Sequence, residues 1–166
     1  MAMSTEQIKQ LRERTGAGIM DCKRALEDAR GNPGEAEKLL KQWGLANVAK
    51  KAGREASQGL VDSYIHAGGR VGALVEVNCE TDFVARTDDF RSLVHDIAMQ
   101  VAAMNPARLS ADEPSPDGLK GDVPLMQQAF IKDPSKTIQD LVNESIAKLR
   151  ENIVVRRFAR FELGTE

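Results

Sequence analysis

The sequence has few cysteines and few histidines, and neither type is clustered. Cys22 and Cys79 are far apart, no CxxC pair occurs, and there are only 2 histidines, His66 and His95. Zinc sites and disulfide frameworks place such residues at short, recurring spacings. We therefore predict neither, expect no bound metal or cofactor, and interpret both cysteines as small apolar residues of a core.

Long apolar runs are also missing. The longest stretch without a charged side chain, residues 97–107, is shorter than the roughly 20 residues that a membrane-spanning helix requires. The N-terminus carries charged residues, such as Glu6 and Arg12, where a secretory signal is apolar. The sequence predicts a cytosolic protein without a membrane segment.

Neither the charge nor the aromatic content favours nucleic acid as a partner. The 23 basic and 25 acidic residues leave a formal net charge of −2, and aromatic residues make up 4% of the chain. Proteins that bind nucleic acid directly usually carry excess positive charge and aromatic rings on which bases stack. We therefore expect no direct contact with nucleic acid.

The first 43 residues predict three short helices. Asn32 and Pro33 form a typical start for the third helix, which is predicted to stop at Gly44. Because three such helices bury only a thin core, this pattern favours a helical docking module. The Ala- and Lys-rich residues 44–58 then predict a helical linker.

Three later segments have the composition of strands. Residues 60–66 and 70–79 are rich in β-branched side chains and are joined by a glycine-containing turn, and residues 153–162 alternate between apolar and arginine-rich positions. These segments predict a three-stranded antiparallel sheet. With helices on the sheet, the predicted fold class is α+β.

Two apolar stripes of helical period accompany the strands. Residues 90–102 form the first stripe, in a helix that Asp88 or Asp89 is predicted to cap, and residues 138–149 form the second. Both helices are expected to pack on one face of the sheet.

The stretch between these helices is predicted to be irregular. Residues 108–124 hold several prolines and glycines and predict a surface loop, and residues 125–131 predict a short helix. The chain is thus divided into a three-helix module at 1–43, a helical linker at 44–58 and an α+β core at 59–166.

No convincing catalytic set is present. A thiol and imidazole pair would have to combine Cys79 with His66 or His95, and nothing in the sequence orients them together. Residues 15–18, TGAG, precede a helix but lack the lysine of a phosphate-binding loop, so a turn between helices is the plainer interpretation. We expect a protein that is not an enzyme.

One segment resists a purely structural account. Phe83 stands beside Asp82 in the connection between the second strand and the long helix, and connections run over the surface. On residue types alone, the plainer reading is that Phe83 tucks under the sheet as a lid while Asp82 caps a turn. The other reading is an aromatic anchor presented to a partner protein.

Two long stretches resemble the signatures of one family. Residues 11–26, LRERTGAGIMDCKRAL, and residues 76–86, EVNCETDFVAR, are similar to the two signatures of translation elongation factor Ts, in the proper order. Residues 146–158 are also similar to that family. The resemblance covers nearly the whole chain and is weakest between residues 108 and 135.

The resemblance implies a guanine-nucleotide exchange factor for elongation factor Tu, with a ubiquitin-associated-like N-terminal module. It implies that the module binds the nucleotide-binding domain of that partner, and that a second stretch intrudes near the partner's magnesium site with a phenylalanine as its wedge. The matching module residues are Arg12, Ile19 and Met20, and the matching wedge residues are Thr81, Asp82, Phe83 and Val84.

The chain departs from the longer members of this family in having room for only one core. It resembles the compact form, for which a homodimer through the core domain is implied. Thr87 follows Arg86 where an Asn or acidic residue is expected, which affects the start of the next helix more than the wedge. An adaptor that binds protein through the helical module without exchange activity is the alternative.

Overall fold

The computed structural model describes residues 4–115 and 121–165. Its helices and strands, in chain order, are α1 (Thr5–Thr15), α2 (Ile19–Asp28), α3 (Pro33–Lys51), β1 (Gln58–Ile65), β2 (Val71–Cys79), α4 (Asp82–Ala85), α5 (Asp88–Met104), β3 (Ala129–Phe130), β4 (Asp133–Thr137), α6 (Ile138–Leu149) and β5 (Val154–Glu162). The α+β prediction is confirmed, with an antiparallel three-stranded sheet packed against helices and a helical N-terminal region. Within the described ranges, no helix combines the length and the apolarity needed to cross a membrane.

The N-terminal helices close around a small core. Its buried side chains are Leu11, Cys22, Ala25, Leu26 and Ala36. Asn32 caps α3 as predicted, since its side chain accepts hydrogen bonds from the first-turn amides of Gly34 and Glu35. Because three of the five core residues are small, this region buries little apolar surface for its length.

The sequence predicts that α3 stops at Gly44, but the helix continues to Lys51. A glycine inside a helix costs about 1 kcal/mol relative to alanine. Here a Cβ at Gly44 would lie 3.7 Å from the Cβ of Ala147, so α3 and α6 pack closely at this point. Tertiary packing thus carries the helix through residues 44–51 of the predicted helical linker. The prediction is wrong for its second half, because residues 52–57 are not helical and Gln58 begins β1. The predicted domain boundaries stay a prediction.

The core sheet has the strand order β1-β2-β5, with both pairs antiparallel. Helix α5 covers one face and buries the predicted stripe, including Phe90, Val94 and Ile97. The cap of α5 was predicted at Asp88 or Asp89 but is Thr87, whose hydroxyl accepts a hydrogen bond from the amide of Phe90 at 3.2 Å. The two aspartates lie in the first turn, where negative charge favours the helix dipole.

The prediction of a short helix at residues 125–131 is confirmed for one turn and wrong for the rest of that range. A 3-10 turn over Leu125–Gln127 leads instead into the β3-β4 hairpin. The fully buried side chain of Gln100 holds the first strand, because its amide donates to the carbonyl of Ala129 at 3.1 Å and accepts from the amide of Ile131 at 3.0 Å. This partner, about thirty positions away, is invisible to local propensity.

Helix α6 begins with the capping box of Thr137 and Asp140. It packs against α3, α5 and β4 rather than directly on the three-stranded sheet. The prediction that both helices pack on one face of the sheet is therefore confirmed for α5 and wrong for α6. Of the predicted loop, residues 108–115 and 121–124 are irregular and are bridged by Arg108 and Asp122 at 3.0 Å. Residues 116–120 of that prediction lie outside the described residues.

Candidate functional site

Residues 82–85, DFVA, form a single helical turn, α4, between β2 and α5. Thr81 is its N-cap, with extended backbone and a hydroxyl that accepts a hydrogen bond from the amide of Val84 at 3.4 Å. Asp82 does not cap the turn; its carboxylate lies 2.9 Å from the guanidinium of Arg86. A helix of four residues makes too few internal hydrogen bonds to be stable alone, so its geometry depends on its surroundings.

Phe83 projects into solvent with 78% of its surface exposed, which excludes the reading of a lid under the sheet. Ala85 on the same turn is buried, and Val84 packs partly against the core. Residues two apart on a helix point about 200° away from each other, so burying Ala85 turns Phe83 outward. The turn therefore displays one large apolar ring with the carboxylate of Asp82 beside it.

Two carboxylates, which the sequence analysis missed, hold the loop that leads into α4. Glu151 accepts hydrogen bonds from the amides of Glu80 and Thr81, both at 3.0 Å, and from the hydroxyl of Thr81 at 2.6 Å. Glu80 in turn accepts from the amide of Asn152 at 2.7 Å. We call this reciprocal arrangement of Glu80 and Glu151 the carboxylate clamp. In the sequence, only its place within residues 146–158, which resemble the family, could have drawn attention to Glu151.

The clamp is tied to the segment between α3 and β1. The side-chain amide of the buried Asn152 donates to the carbonyl of Arg54 at 2.8 Å, and the guanidinium of Arg54 lies 3.6 Å from the carboxylate of Glu80. The turn between α6 and β5 thus contacts both the loop before α4 and the segment between α3 and β1.

The predicted module residues are also exposed. Ile19 and Met20 open α2 with 56% and 72% of their surfaces in solvent, and Arg12 is exposed on α1. Of the preceding residues 15–18, Thr15 ends α1 and residues 16–18 form a turn between helices, in which Gly16 caps α1 at a φ of 68°. That positive φ favours glycine.

The structure brings the two candidate surfaces close together. The carboxylate of Asp21, the residue after Met20, lies 3.6 Å from the guanidinium of Arg150. Arg150 is followed by Glu151 of the carboxylate clamp. Consecutive residues therefore contact the start of α2 and the start of α4. The exposed pair Ile19–Met20 and the ring of Phe83 belong to one neighbourhood of the molecule.

The geometry excludes a thiol and imidazole pair. Cys79 pairs with Gln58 at one end of the sheet, whereas His66 follows Ile65 at the other end, about 26 Å away at strand spacing. His95 contacts Asp62, which is paired with Val75 about 13 Å along the strand from Cys79.

Both cysteines are fully buried, as interpreted from the sequence. Burial, with a smaller contribution from the charge of Glu151, raises the pKa of the Cys79 thiol to about 11. Burial also raises the pKa of the Cys22 thiol. Thiols with raised pKa are poor nucleophiles at neutral pH, because the thiolate is the reactive form.

The outer face of the sheet, opposite α5, is apolar and uncovered. Its exposed large side chains are Val61, Ile65, Leu74 and Phe161, with Leu163 just beyond β5. Glu76 and Arg157 pair on this face at 2.7 Å, and the arginine holds the pKa of that carboxyl below its usual value. The face therefore carries apolar groups, this ion pair and the guanidinium of Arg156, which donates to the side chain of Asn78 at 3.0 Å.

Comparison with known proteins shows relatives over nearly the full chain. A family model described as "Elongation factor TS" matches residues 45–122. Elongation factor Ts of Thermoanaerobacter sp. (strain X514) is 48% identical over 194 aligned positions, which cover 98% of this chain and 95% of the relative. The same-named protein of Herpetosiphon aurantiacus is 47% identical, with 99% and 100% covered. Because the 194 positions exceed the 166 residues of the chain, the Thermoanaerobacter relative has residues without a counterpart here.

Proposed function

We propose that this chain, which belongs to the elongation factor Ts family of translation elongation factors, is a guanine-nucleotide exchange factor for elongation factor Tu. The observation that carries the proposal is the exposed ring of Phe83, displayed on a turn that the carboxylate clamp holds in place. A large, solvent-exposed aromatic side chain is costly to keep in water and is typical of an interface anchor.

The proposed mechanism is a competition between two binding partners. GDP is held tightly when magnesium bridges its phosphates and the phosphate-binding loop keeps one shape. On our proposal, Phe83 displaces a side chain that supports the magnesium site, and Asp82 places an extra acceptor beside it. By linkage, the factor then weakens GDP binding and GDP weakens factor binding by the same ratio. A coupling of about 4 kcal/mol corresponds to roughly a thousandfold.

The N-terminal module supplies affinity in this proposal. Ile19 and Met20 offer an exposed apolar pair, and Arg12 adds a charge-assisted hydrogen-bond donor on the neighbouring helix. These contacts form equally well before and after GDP leaves, so they raise the lifetime of the complex without changing its maximum exchange rate. Exchange itself involves no covalent step, and we assign no catalytic residue.

Release of fluorescent GDP from elongation factor Tu, in a stopped-flow instrument, tests the proposal. We expect the purified chain to accelerate release in a concentration-dependent and saturable way. An adaptor without exchange activity would bind elongation factor Tu and leave the release rate unchanged, and that result would contradict the proposal.

We also propose a homodimer through the outer face of the sheet. A second copy of the same face suits this surface, because its large exposed side chains are apolar and a two-fold contact places each apolar patch against the identical patch of the other copy. Sedimentation of the wild-type chain should give the mass of two copies, and Leu74→Glu should give the mass of one. A wild-type chain that sediments as a monomer at micromolar concentration would contradict the proposed homodimer.

A further inference from the structure

The helical turn α4, which carries Phe83, has its own backbone hydrogen bonds, such as the one from the amide of Ala85 to the carbonyl of Thr81 at 3.3 Å, but its entry is held from outside. Within α4, the N-cap bond from Val84 to Thr81 is long, at 3.4 Å, whereas the hydroxyl of Thr81 donates to Glu151 at 2.6 Å. Bonds to a charged acceptor are stronger and more directional than neutral ones. The position of Thr81 is therefore set mainly by Glu151.

The three donors of this contact fix more than one atom of the loop. Two successive amides, of Glu80 and Thr81, and one hydroxyl converge on the same carboxylate. Three bonds from two adjacent residues determine both the place and the orientation of the backbone that enters α4. Phe83 is only two residues beyond this fixed point, so the direction of its ring follows from the geometry at Glu151.

The acceptor itself stands on a rigid support. Glu151 follows Arg150, which ends α6 with a φ of 61°, and precedes the buried Asn152, whose amide donates to Glu80 at 2.7 Å. The bond from Asn152 runs in the direction opposite to those accepted by Glu151, so neither segment can shift without breaking contacts on the other. A rigid second layer of this kind is what holds a working side chain in its productive geometry.

We propose that Glu151 is a positioning residue for Phe83, and that its carboxylate aims the exposed ring at the partner without contacting the partner itself. This inference rests on the proposed exchange function. It assigns to residue 151 an effect on the rate of GDP release at saturation, and no effect on the affinity that the N-terminal module provides.

The test compares Glu151→Gln with Glu144→Gln, the same substitution on the exposed side of α6. Glutamine keeps the size of Glu151 but presents an NH₂ group where an oxygen met the donors of Thr81. We expect the saturated rate of stimulated GDP release to fall about tenfold for Glu151→Gln, with less than a twofold change in the concentration for half-saturation. Glu144→Gln should match the wild type in both quantities.

A double-mutant cycle separates positioning from a general loss of fold. In the Phe83→Ala background, Glu151→Gln should slow release no further, because the side chain that it aims is absent. Amide hydrogen exchange at Glu80 and Thr81 should accelerate in Glu151→Gln and not in Glu144→Gln. Should Glu151→Gln fail to fold, Glu151→Asp carries the same cycle, since it keeps the charge but withdraws it by one methylene.

The outcomes separate the two proposals. A folded Glu151→Gln with the wild-type rate, beside a slow Phe83→Ala, overturns the positioning role and leaves the exchange function standing. The positioning role is also overturned if Glu151→Gln slows GDP release by the same factor in the wild-type and Phe83→Ala backgrounds. If the unchanged chain does not stimulate release at all, the exchange function fails and the positioning role fails with it.

Discussion

The two surfaces that are proposed to bind elongation factor Tu are built in different ways. Ile19 and Met20 begin α2, a helix of 10 residues whose other side fills the module core with Cys22 and Leu26. Phe83 stands on a helix of 4 residues whose geometry depends on Glu151, in another part of the chain. The first surface is made by one amphipathic helix, whereas the second needs a distant partner. A local pattern predicts the amphipathic helix that carries the first surface, but only the fold reveals how the second surface is held.

The largest expected effect concerns the surface on α2. Replacing both Ile19 and Met20 by Asp should weaken binding to elongation factor Tu about a thousandfold, since each buried interface anchor contributes about 2 kcal/mol. The maximum rate of GDP release at saturation should stay near the wild-type value. Titration by isothermal calorimetry gives the affinity, and stopped-flow release gives the rate; Glu27→Ala, exposed on the same helix, serves as the control. Equal loss of rate and affinity would break the division of labour between the two surfaces.

The thin core of the module should fail before the sheet does. Leu26→Ala removes one of its few large buried side chains and should destabilise the module by about 3 kcal/mol. Trp43, the single tryptophan, packs against this core and reports on it by fluorescence. In this variant, the thermal midpoint measured by Trp43 fluorescence should fall below the midpoint measured by circular dichroism of the sheet. In Leu93→Ala, on α5, the circular dichroism midpoint should instead fall below the fluorescence midpoint. If the two transitions coincide in both variants, the two regions unfold as one unit.

The corrected cap of α5 gives a smaller effect. Thr87→Ala should cost about 1 kcal/mol in urea unfolding, because the amide of Phe90 loses its acceptor. Asp88→Ala should cost only a few tenths of a kcal/mol, which is the weight of a first-turn charge. A larger cost at Asp88 than at Thr87 would restore the cap that the sequence predicts.

How far the sequence leads depends on where the determinants of each element lie. The strands and α5 follow from side-chain periods within one segment, whereas Ile19 and Met20 are singled out only by the resemblance to the family. The continuation of α3 past Gly44 and the β3-β4 hairpin depend on contacts with Ala147 and Gln100, which local patterns do not contain. The outward direction of Phe83 likewise follows from the burial of Ala85.

A last effect is confined to high pH. The pKa of the Cys79 thiol is about 11 in the folded chain, against an ordinary value of 9.0. Between these values the unfolded chain loses this proton first, so the unfolded state binds fewer protons and stability falls as pH rises from about 9 to about 11. Cys79→Ala should show a smaller decline over that interval in urea titrations, and an identical decline in both proteins would assign it to other groups.

In the proposed exchange function, the ring of Phe83 drives GDP out of elongation factor Tu. The most direct measurement is the rate of fluorescent GDP release from elongation factor Tu at a saturating concentration of Phe83→Ala, beside the wild type and Ile131→Ala, which truncates an exposed apolar residue of the hairpin. We predict that the rate falls at least about tenfold for Phe83→Ala, equivalent to about 1.4 kcal/mol of barrier, and is unchanged for Ile131→Ala. A folded Phe83→Ala that releases GDP at the wild-type rate would contradict the account.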